Sequence, residues 1–412
     1  MTFAALLRDA TALRKSISDP RGVRIALTGL GPVEFIKSIL AYDGIAESLL
    51  LIPASLGDNE KLDLMYNAGC THRLGIGEEN PVSLGVTPNE SACFGPTHWL
   101  LATSGTTGKP KLIEHTFASL TRTLKRDLRR GSEYHWGLLY DPNRFAGLQV
   151  VLQALLAGSC LTLPEGQTFQ EQVETLLCHP VNALSATPSL WRKLLMDGRI
   201  AGLSLRQITL GGEIADQKTI DVLRQLYPEA RVTHIYASTE AGTGFAVNDG
   251  LAGFPVSWLE GHGPIPMRVN RHDHLLVKPP VLPGGPAVRA RLTDDGYLDT
   301  EDMVSVVGQR VLFLGRASGA INVGGNKVNP EQVEQIVRGV PGVSDVRIYA
   351  KKSSLVGQLV AADIVAADNE EPTILRKRII DHCRGQLASW QIPAMLRFVT
   401  ELPINAAGKL TR

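Results

Sequence analysis

Strand-like and helix-like segments alternate through the first part of this chain of 412 residues. The apolar run Val23–Leu30 is followed by a helical segment, residues 32–44, and then by a second apolar run, residues 48–54. The same alternation continues to the strand-like segment 231–238. Strands that alternate with helices in this way build a parallel sheet covered by helices on both faces. We therefore predict an α/β fold whose large N-terminal part contains doubly wound, mostly parallel sheets.

The pattern changes after about residue 250, where proline and glycine become frequent. Short β-like pieces at residues 274–280 and 288–294 predict a small β-rich unit, whereas residues 117–130 look helical. Beyond Gly315, two strand-like runs precede a helix, which predicts a small, mobile α+β domain. The predicted boundaries give an N-terminal domain at residues 1–314, a hinge at 315–318 and a C-terminal lid domain at 319–412.

Charge and cysteine content narrow the class of protein. The formal net charge is only +1, which gives no case for binding nucleic acid or an anionic membrane. No apolar run approaches the roughly 20 residues of a membrane-spanning helix, and the N-terminal segment lacks the features of a secretory signal. The five cysteines are scattered and form no C-x-x-C pair, so we expect reduced thiols in a cytoplasmic protein.

The segment TSGTTGKPK, residues Thr103–Lys111, follows a strand-like run and consists mainly of small and hydroxylated residues. Their backbone N–H groups can surround a polyphosphate because no bulky side chain blocks the approach. The spacing excludes a P-loop, since Pro110 stands where Ser or Thr should follow Lys109. The dinucleotide-binding pattern G-x-G-x-x-G is also excluded. Gly29 and Gly31 would supply its first two glycines, but Glu34 occupies the position of the third.

This segment resembles the phosphate-binding signature of the adenylate-forming (ANL) superfamily, roughly Ser/Thr-Ser-Gly-Ser/Thr-Thr-Gly-x-Pro-Lys. The superfamily includes acyl- and aryl-CoA synthetases, peptide-synthetase adenylation domains and luciferases. The resemblance covers roughly residue 20 to the end, and the part before the loop is shorter than in typical members. It implies that the ATP phosphates are bound by Thr103, Ser104, Gly105, Thr106, Thr107, Gly108 and Lys111.

A second segment, YASTE at residues 236–240, resembles the superfamily's Y-G-x-T-E motif. The resemblance implies that Tyr236 stacks on adenine, that Thr239 contacts the α-phosphate and that Glu240 helps to hold Mg²⁺. These residue types suit the roles, because a carboxylate oxygen is a hard ligand for this ion. Ala237 replaces the usual glycine, which narrows the expected acyl pocket.

Two further segments resemble the family's T-G-D region and its hinge. In residues 296–304 the resemblance implies that Asp302 hydrogen-bonds the ribose, while Glu301 stands where glycine is commonest, so the local backbone is expected to differ. In residues 315–334, Arg316 would reach the nucleotide and Ser318 would take the hinge position, where Asp or Lys is usual. The pair Gly324 and Gly325 would line the path of a pantetheine arm.

The final segment, residues 402–412, resembles the pattern that carries the family's adenylation lysine, which would here be Lys409. A lysine on a mobile domain can stabilise charge as a carboxylate attacks the α-phosphate of ATP. The expected catalytic residues are therefore Lys409, Thr239 and Glu240.

The acyl pocket is expected near Arg144, which stands three residues before Gly147, where many members have histidine. Arg144 either pairs with a second carboxylate or polar group of the acid, or lies on the pocket rim. The basic run Leu124–Gly131 either meets coenzyme A phosphates or a carrier protein, or is a solvated helix face. The other expected wall residues are Phe145, Gly211, Ala237 and Ser238, with Gly212 and Glu213 assigned to the ATP site.

The resemblance implies a reaction class. A small carboxylic acid would react with ATP and Mg²⁺ to give an acyl-adenylate, and a thiol would then form a thioester. The leading hypothesis has coenzyme A as the acceptor. The alternatives are a stand-alone adenylation enzyme that loads the phosphopantetheine of an acyl carrier protein, and a nucleotide-binding sensor without turnover.

Overall fold

The computed structural model describes residues 1–88, 95–103, 110–164, 168–353, 357–405 and 407–411. These residues form four sheets, two of them mostly parallel, together with helices and a separate C-terminal domain. The α/β fold predicted from the sequence is confirmed. Within the described ranges, no helix is both long enough and apolar enough to cross a membrane.

The first sheet has the strand order β4-β3-β1-β2-β5-β6, in which the four central strands are parallel. Its strand β2 is buried at every position, as expected for a central strand of a parallel sheet covered on both faces. The elements of this region are α1 (Phe3–Arg14), β1 (Arg24–Thr28), α2 (Pro32–Tyr42), β2 (Ser48–Ile52), α3 (Asp58–Asn67), β3 (His72–Gly75), β4 (Val82–Ser83), β5 (His98–Thr103) and β6 (Lys111–His115).

The second sheet has the order β12-β11-β10-β9-β7-β8 and is parallel except for β12. Its elements are α4 (Phe117–Thr121), α5 (Leu128–Gly131), β7 (His135–Leu138), α6 (Phe145–Ala157), β8 (Cys160–Thr162), α7 (Phe169–Leu177), β9 (Ala183–Ala186), α8 (Pro188–Asp197), β10 (Gln207–Gly211), α9 (Gln217–Leu226), β11 (Arg231–Ser238) and β12 (Gly242–Val247). One hydrophobic core contains Leu27 and Leu49 of the first sheet, Leu138 of the second and Leu148 of α6, so the two sheets are packed around shared helices.

The third sheet is antiparallel, with the order β13-β17-β16-β15-β14, and it confirms the predicted β-rich unit. The fourth sheet belongs to the C-terminal domain and packs with α11 and α12 around its own core. The elements are β13 (Phe254–Pro255), β14 (Met267–Val269), β15 (His274–Val277), α10 (Pro286–Arg289), β16 (Leu298–Val307), β17 (Arg310–Arg316), β18 (Ile321–Val323), β19 (Asn326–Val328), α11 (Pro330–Arg338), β20 (Val343–Ser353), β21 (Gly357–Ala366), α12 (Pro372–Arg384) and β22 (Met395–Phe398).

Two local predictions were wrong. Residues 288–294 begin in helix α10 instead of a strand, because Pro286 takes the first helical position, where its missing N–H costs nothing. The segment 117–130 is two short helices, α4 and α5, and not one. Asp127 begins the second of them by accepting a hydrogen bond from the Arg130 N–H at 3.1 Å.

Candidate active site

A cavity of about 450 Å³ lies where strands of the two parallel sheets end. In open α/β sheets the carboxyl ends of the strands are the usual place for ligands. Thr103 ends β5, Gly212 follows β10, and the first turn of α6 adds Phe145 to the wall. The C-terminal domain supplies Lys409 to the same cavity, although this residue is far away in the sequence.

The turn that carries Lys409 is held by its own hydrogen bonds. The side chain of Asn405 accepts from the Lys409 N–H at 3.1 Å, and the Asn405 N–H donates to the Lys409 carbonyl at 2.8 Å. The Lys409 side chain passes Gly212, where an added Cβ would lie only 3.4 Å from the lysine Cε. Gly212 has φ +81°, so both its conformation and the close approach favour glycine.

The charges around the cavity act on Lys409, whose side chain stays accessible to solvent inside it. Partial loss of hydration lowers the pKa of Lys409, and Arg316 and Arg144 lower it further. Glu213 and Glu240 oppose this effect. The ammonium group therefore faces anionic and cationic side chains together, as a site for charged substrates requires.

Glu213 connects the last turn of the chain to the N-terminal domain. Its Oε1 accepts from the Leu410 N–H at 3.0 Å, and its Oε2 accepts from the Ser189 N–H at 3.0 Å. The hydroxyl of Thr187 also donates to the Gly408 carbonyl. These bonds dock the turn against the start of α8. The predicted role of Glu213 in binding ATP stays a prediction.

A buried cluster of four charges, which we call the interdomain ion cluster, also joins the two domains. It consists of Arg192 and Asp216 from α8 and the start of α9, and of Arg338 and Asp345 from the C-terminal domain. Arg192 Nη1 lies 3.1 Å from Asp216 Oδ2, and Arg192 Nε lies 3.0 Å from Asp345 Oδ1. Arg338 Nε is 3.1 Å from the same Asp345 oxygen. Each arginine thus contacts carboxylates from both domains.

The interdomain ion cluster is kept charged by its own members. Its four side chains are only 4–8% exposed. Burial disfavours the charged forms of Asp216 and Arg338. At Asp216 the neighbouring Arg338 and Arg192 outweigh burial and lower the pKa. At Arg338 the carboxylates of Asp345 and Asp216 outweigh it and raise the pKa. Buried ions are tolerated only when paired and hydrogen-bonded. No motif in the sequence pointed to this cluster.

The predicted ribose ligand Asp302 is already bonded to two other predicted site residues. Tyr236 donates its hydroxyl hydrogen to Asp302 Oδ2 at 2.6 Å, and Arg316 Nε donates to Asp302 Oδ1 at 3.0 Å. All three side chains line the cavity. The Tyr236 ring is stacked on two protein rings, Phe245 and Phe313, each with its centroid 5.0 Å away. Adenine stacking on Tyr236 stays a prediction.

Glu301 has a backbone conformation that glycine adopts more readily than other residues. Its φ is +58°, in the left-handed region that non-glycine residues seldom adopt. Arg291 holds the Glu301 carboxylate at 2.9 Å. This ion pair accompanies the unfavourable conformation, and the expected difference from the family's local backbone stays a prediction.

Thr239 and Glu240 are positioned by a residue that no motif singled out. His115, at the end of β6, donates from Nε2 to the Thr239 carbonyl at 2.8 Å. Since that nitrogen must carry the hydrogen, Nδ1 of the neutral ring accepts from the Ser119 hydroxyl at 3.1 Å. Burial lowers the pKa of His115 to about 4, against the opposing effects of Thr239 and Glu240.

We expect the protein to lose stability as the pH falls from about 6.5 to about 4. Over this range the unfolded chain binds a proton at His115 that the folded protein excludes, so the free energy of unfolding drops, by about 2 kcal/mol at pH 5. His115→Gln keeps an N–H for the Thr239 carbonyl but does not titrate. Urea unfolding at pH 7.5 and 5 should therefore show a smaller change for this variant, and an equal change would contradict the assignment.

A carboxylate suited to Mg²⁺ is present, because Glu240 lines the cavity. Among the residues that the structure describes, no group of three or more His, Cys, Asp or Glu side chains could hold a metal by itself. A single carboxylate fits Mg²⁺, because proteins commonly bind this ion through one or two carboxylates together with substrate phosphates.

Two of the predicted phosphate ligands, Thr103 and Lys111, belong to strands that the structure describes. Thr103 ends β5 and Lys111 begins β6, and the two residues are partners in an antiparallel pair. Thr103 lines the cavity. The other predicted phosphate ligands, Ser104, Gly105, Thr106, Thr107 and Gly108, lie outside the described residues.

The predicted acyl-site residues divide into two groups. Arg144, Phe145, Ala237 and Ser238 line the cavity. Gly211 is the last residue of β10 and is absent from the cavity wall that the structure describes.

The residues predicted for the hinge and the thiol path lie outside this wall. Ser318 sits in a short helical turn, Ala317–Gly319, directly after β17. Gly324 and Gly325 form the tight turn of the β18–β19 hairpin, with φ values of +57° and +91°. Their roles stay predictions.

Comparison with known proteins agrees with this arrangement. The family model for AMP-binding enzymes matches residues 70–266, and the model for the C-terminal domain of the same enzymes matches residues 332–409. A 2-succinylbenzoate–CoA ligase of Lactococcus lactis is 23% identical over 100% of this chain and 94% of its own length.

Two solved structures share the fold over the whole chain. The anthranilate–CoA ligase AuaEII, bound to anthranoyl-AMP, has a TM-score of 0.77 at 17% identity, with 90% of its length covered. The o-succinylbenzoate–CoA synthetase of Bacillus subtilis has a TM-score of 0.72 at 18% identity, with 92% covered. The chain belongs to the adenylate-forming superfamily, as an AMP-forming acid ligase of the acyl- or aryl-CoA synthetase type.

Proposed function

We propose that this protein uses ATP to convert a carboxylic acid into an acyl-adenylate and then transfers the acyl group to the thiol of coenzyme A. The observation that carries the proposal is the meeting of Lys409, from the C-terminal domain, with Thr239 and Glu240 in one cavity. A carboxylate is a poor acyl donor, and bringing these groups together supplies the positioning and charge stabilisation that its activation needs.

In the first step, a carboxylate oxygen attacks the α-phosphorus of ATP, and the bond to the β-phosphate breaks as pyrophosphate leaves. Lys409 neutralises negative charge that the carboxylate and the α-phosphate bring together, and the Thr239 hydroxyl donates a hydrogen bond to the α-phosphate. Glu240 would hold Mg²⁺, which neutralises phosphate charge when bound. Asp302 retains lone pairs for the ribose hydroxyls, since among the described residues each of its oxygens accepts one hydrogen bond, from Tyr236 or from Arg316.

In the second step, the thiolate of coenzyme A attacks the acyl carbon, the thioester forms and AMP leaves with the electron pair of the broken bond. Lys409 lines the cavity in the observed orientation, and between the two steps the C-terminal domain would rotate at Ser318 to withdraw it and admit the thiol. That rotation would bring the exposed turn Gly324–Gly325 to the pantetheine path. The interdomain ion cluster would then have to separate.

The choice of acid rests on the relatives. The curated relative compared above is named for 2-succinylbenzoate and the structural neighbour AuaEII for anthranilate. Aromatic carboxylic acids are therefore the first group to test. For the acceptor, residues 124–130 of the basic run are exposed or half-exposed, which leaves them accessible to coenzyme A phosphates or to a carrier protein.

The test is to incubate the protein with ATP, Mg²⁺ and a panel of carboxylic acids, with and without coenzyme A, and to measure pyrophosphate release and acyl-CoA by mass spectrometry. We expect both products with at least one aromatic acid. Pyrophosphate release without acyl-CoA, together with loading of a phosphopantetheinylated carrier protein, would support the carrier-protein alternative. Normal ATP binding without pyrophosphate release for any acid would support the sensor.

A further inference from the structure

Arg144 occupies a distinctive place in the cavity. It is the N-cap residue of α6, and its side chain lines the cavity beside Phe145. Nη2 of Arg144 donates to the Ser55 hydroxyl at 3.1 Å, and its Nε lies 3.9 Å from Asp141 Oδ2. Ser55 follows β2 and Asp141 follows β7, so the two parallel sheets together hold the guanidinium in place.

Most of the hydrogen-bonding capacity of Arg144 is unused. A guanidinium carries five N–H groups, and among the described residues Arg144 uses one of them, for Ser55. Its Nε is buried without an acceptor in that part of the chain. The side chain as a whole is 26% exposed and lines the cavity, so N–H groups other than Nε can meet an acceptor on a ligand. Planar guanidinium groups bind carboxylates through two parallel hydrogen bonds.

The backbone next to Arg144 also favours a negatively charged group. Helix α6 has 13 residues, and its N-terminus carries no side-chain cap, so first-turn N–H groups are left without an intrahelical acceptor. The positive end of the helix dipole therefore adds to the charge of Arg144. Lys409 supplies a second cation to the same cavity.

We propose that the acid substrate carries a second carboxylate and that Arg144 binds it, while Lys409 meets the carboxylate that reacts. Two cations on opposite domains match a dicarboxylic acid better than a neutral acyl chain. The inference rests on the proposed function, because it assigns one end of the substrate to the adenylation step. Arg144 is a specificity-determining residue in this proposal and takes no part in the chemistry.

The test compares pairs of acids that differ only at the second carboxylate, such as 2-succinylbenzoate and its side-chain monoamide, or phthalate and its monoamide. We expect the wild-type kcat/KM for pyrophosphate release to favour the dicarboxylic member by about 100-fold, mostly through KM. Arg144→Met should reduce this ratio to near 1, chiefly by lowering the kcat/KM of the dicarboxylic member. Arg144→Lys keeps the charge without the two-pronged geometry and should retain part of the preference.

The possible outcomes distinguish the role of Arg144 from the proposed ligase function. Activation of monoamides as readily as dicarboxylic acids by the wild type would overturn the role of Arg144 and leave the ligase function standing. A rise in the KM for ATP with every acid in Arg144→Met, at an unchanged ratio, would assign Arg144 to the nucleotide and also overturn it. If no acid in the panel led to release of pyrophosphate from ATP, the proposed function itself would be contradicted. Thermal melting of each variant confirms that it folds.

Discussion

Lys409→Ala is expected to slow adenylate formation by about 100- to 1,000-fold, the usual cost of removing one preorganised group that stabilises developing charge. The side chain enters the cavity from a turn of the C-terminal domain that Asn405 holds by its own hydrogen bonds. Thioester formation from a supplied acyl-adenylate should continue, because the phosphorus chemistry is then already complete. Pyrophosphate release measures the first step, and acyl-CoA formation from synthetic adenylate measures the second.

The matched control is Lys377→Ala, which removes an exposed lysine from helix α12 of the same domain. It should change neither half-reaction. If Lys409→Ala reduced both half-reactions equally, Lys409 would serve the fold or general nucleotide binding instead of the adenylation step.

The second large effect is expected from the interdomain ion cluster. Arg192→Met leaves Asp216 and Asp345 with Arg338 as their shared arginine, which strands a net negative charge in a buried place. Breaking a buried ion pair from one side typically costs about 3–5 kcal/mol. The docked orientation of the C-terminal domain should weaken accordingly, and adenylation should slow because Lys409 is no longer held in the cavity. Urea denaturation and pyrophosphate release measure the two effects.

A double-mutant cycle separates charge imbalance from lost packing. Adding Asp345→Asn to Arg192→Met restores neutrality, so the double variant should be less destabilised than the sum of the two single variants. Arg199→Met is the control: this arginine pairs with Asp197 and Glu174 within the N-terminal domain and is 36% exposed, so its loss should lower the free energy of unfolding far less than the loss of Arg192. Strictly additive effects in the cycle would show that the cluster contributes no coupling between the domains.

Much of the fold could be predicted because the relevant signals are local. Apolar runs that alternate with amphipathic segments indicated the strands and helices of both parallel sheets, and their parallel arrangement follows from the helical connections. The errors fell where local signals compete. In residues 288–294 alternating apolar residues suggested a strand, whereas Pro286 favoured a helical turn. In residues 117–130 a helical composition hid the capping residue Asp127.

Only the site residues that belong to short sequence motifs could be predicted. Tyr236, Asp302, Arg316 and Lys409 were found in separate segments, and the structure places all four at one cavity. The residues that hold the site together carried no such signal. His115 contacts a carbonyl 124 positions away, and each member of the interdomain ion cluster has an unremarkable local sequence. Contacts of this kind depend on tertiary packing, which a single sequence does not display.

The hydrogen bond from His115 to the Thr239 carbonyl has a mechanical consequence. His115 ends strand β6, which begins with Lys111, so this one strand connects the β5–β6 pair to the motif that contains Glu240. In the ATP site proposed above, this hydrogen bond would hold the β5–β6 pair and the Glu240 motif in one preassembled arrangement, which lowers the entropy cost of aligning them on a triphosphate.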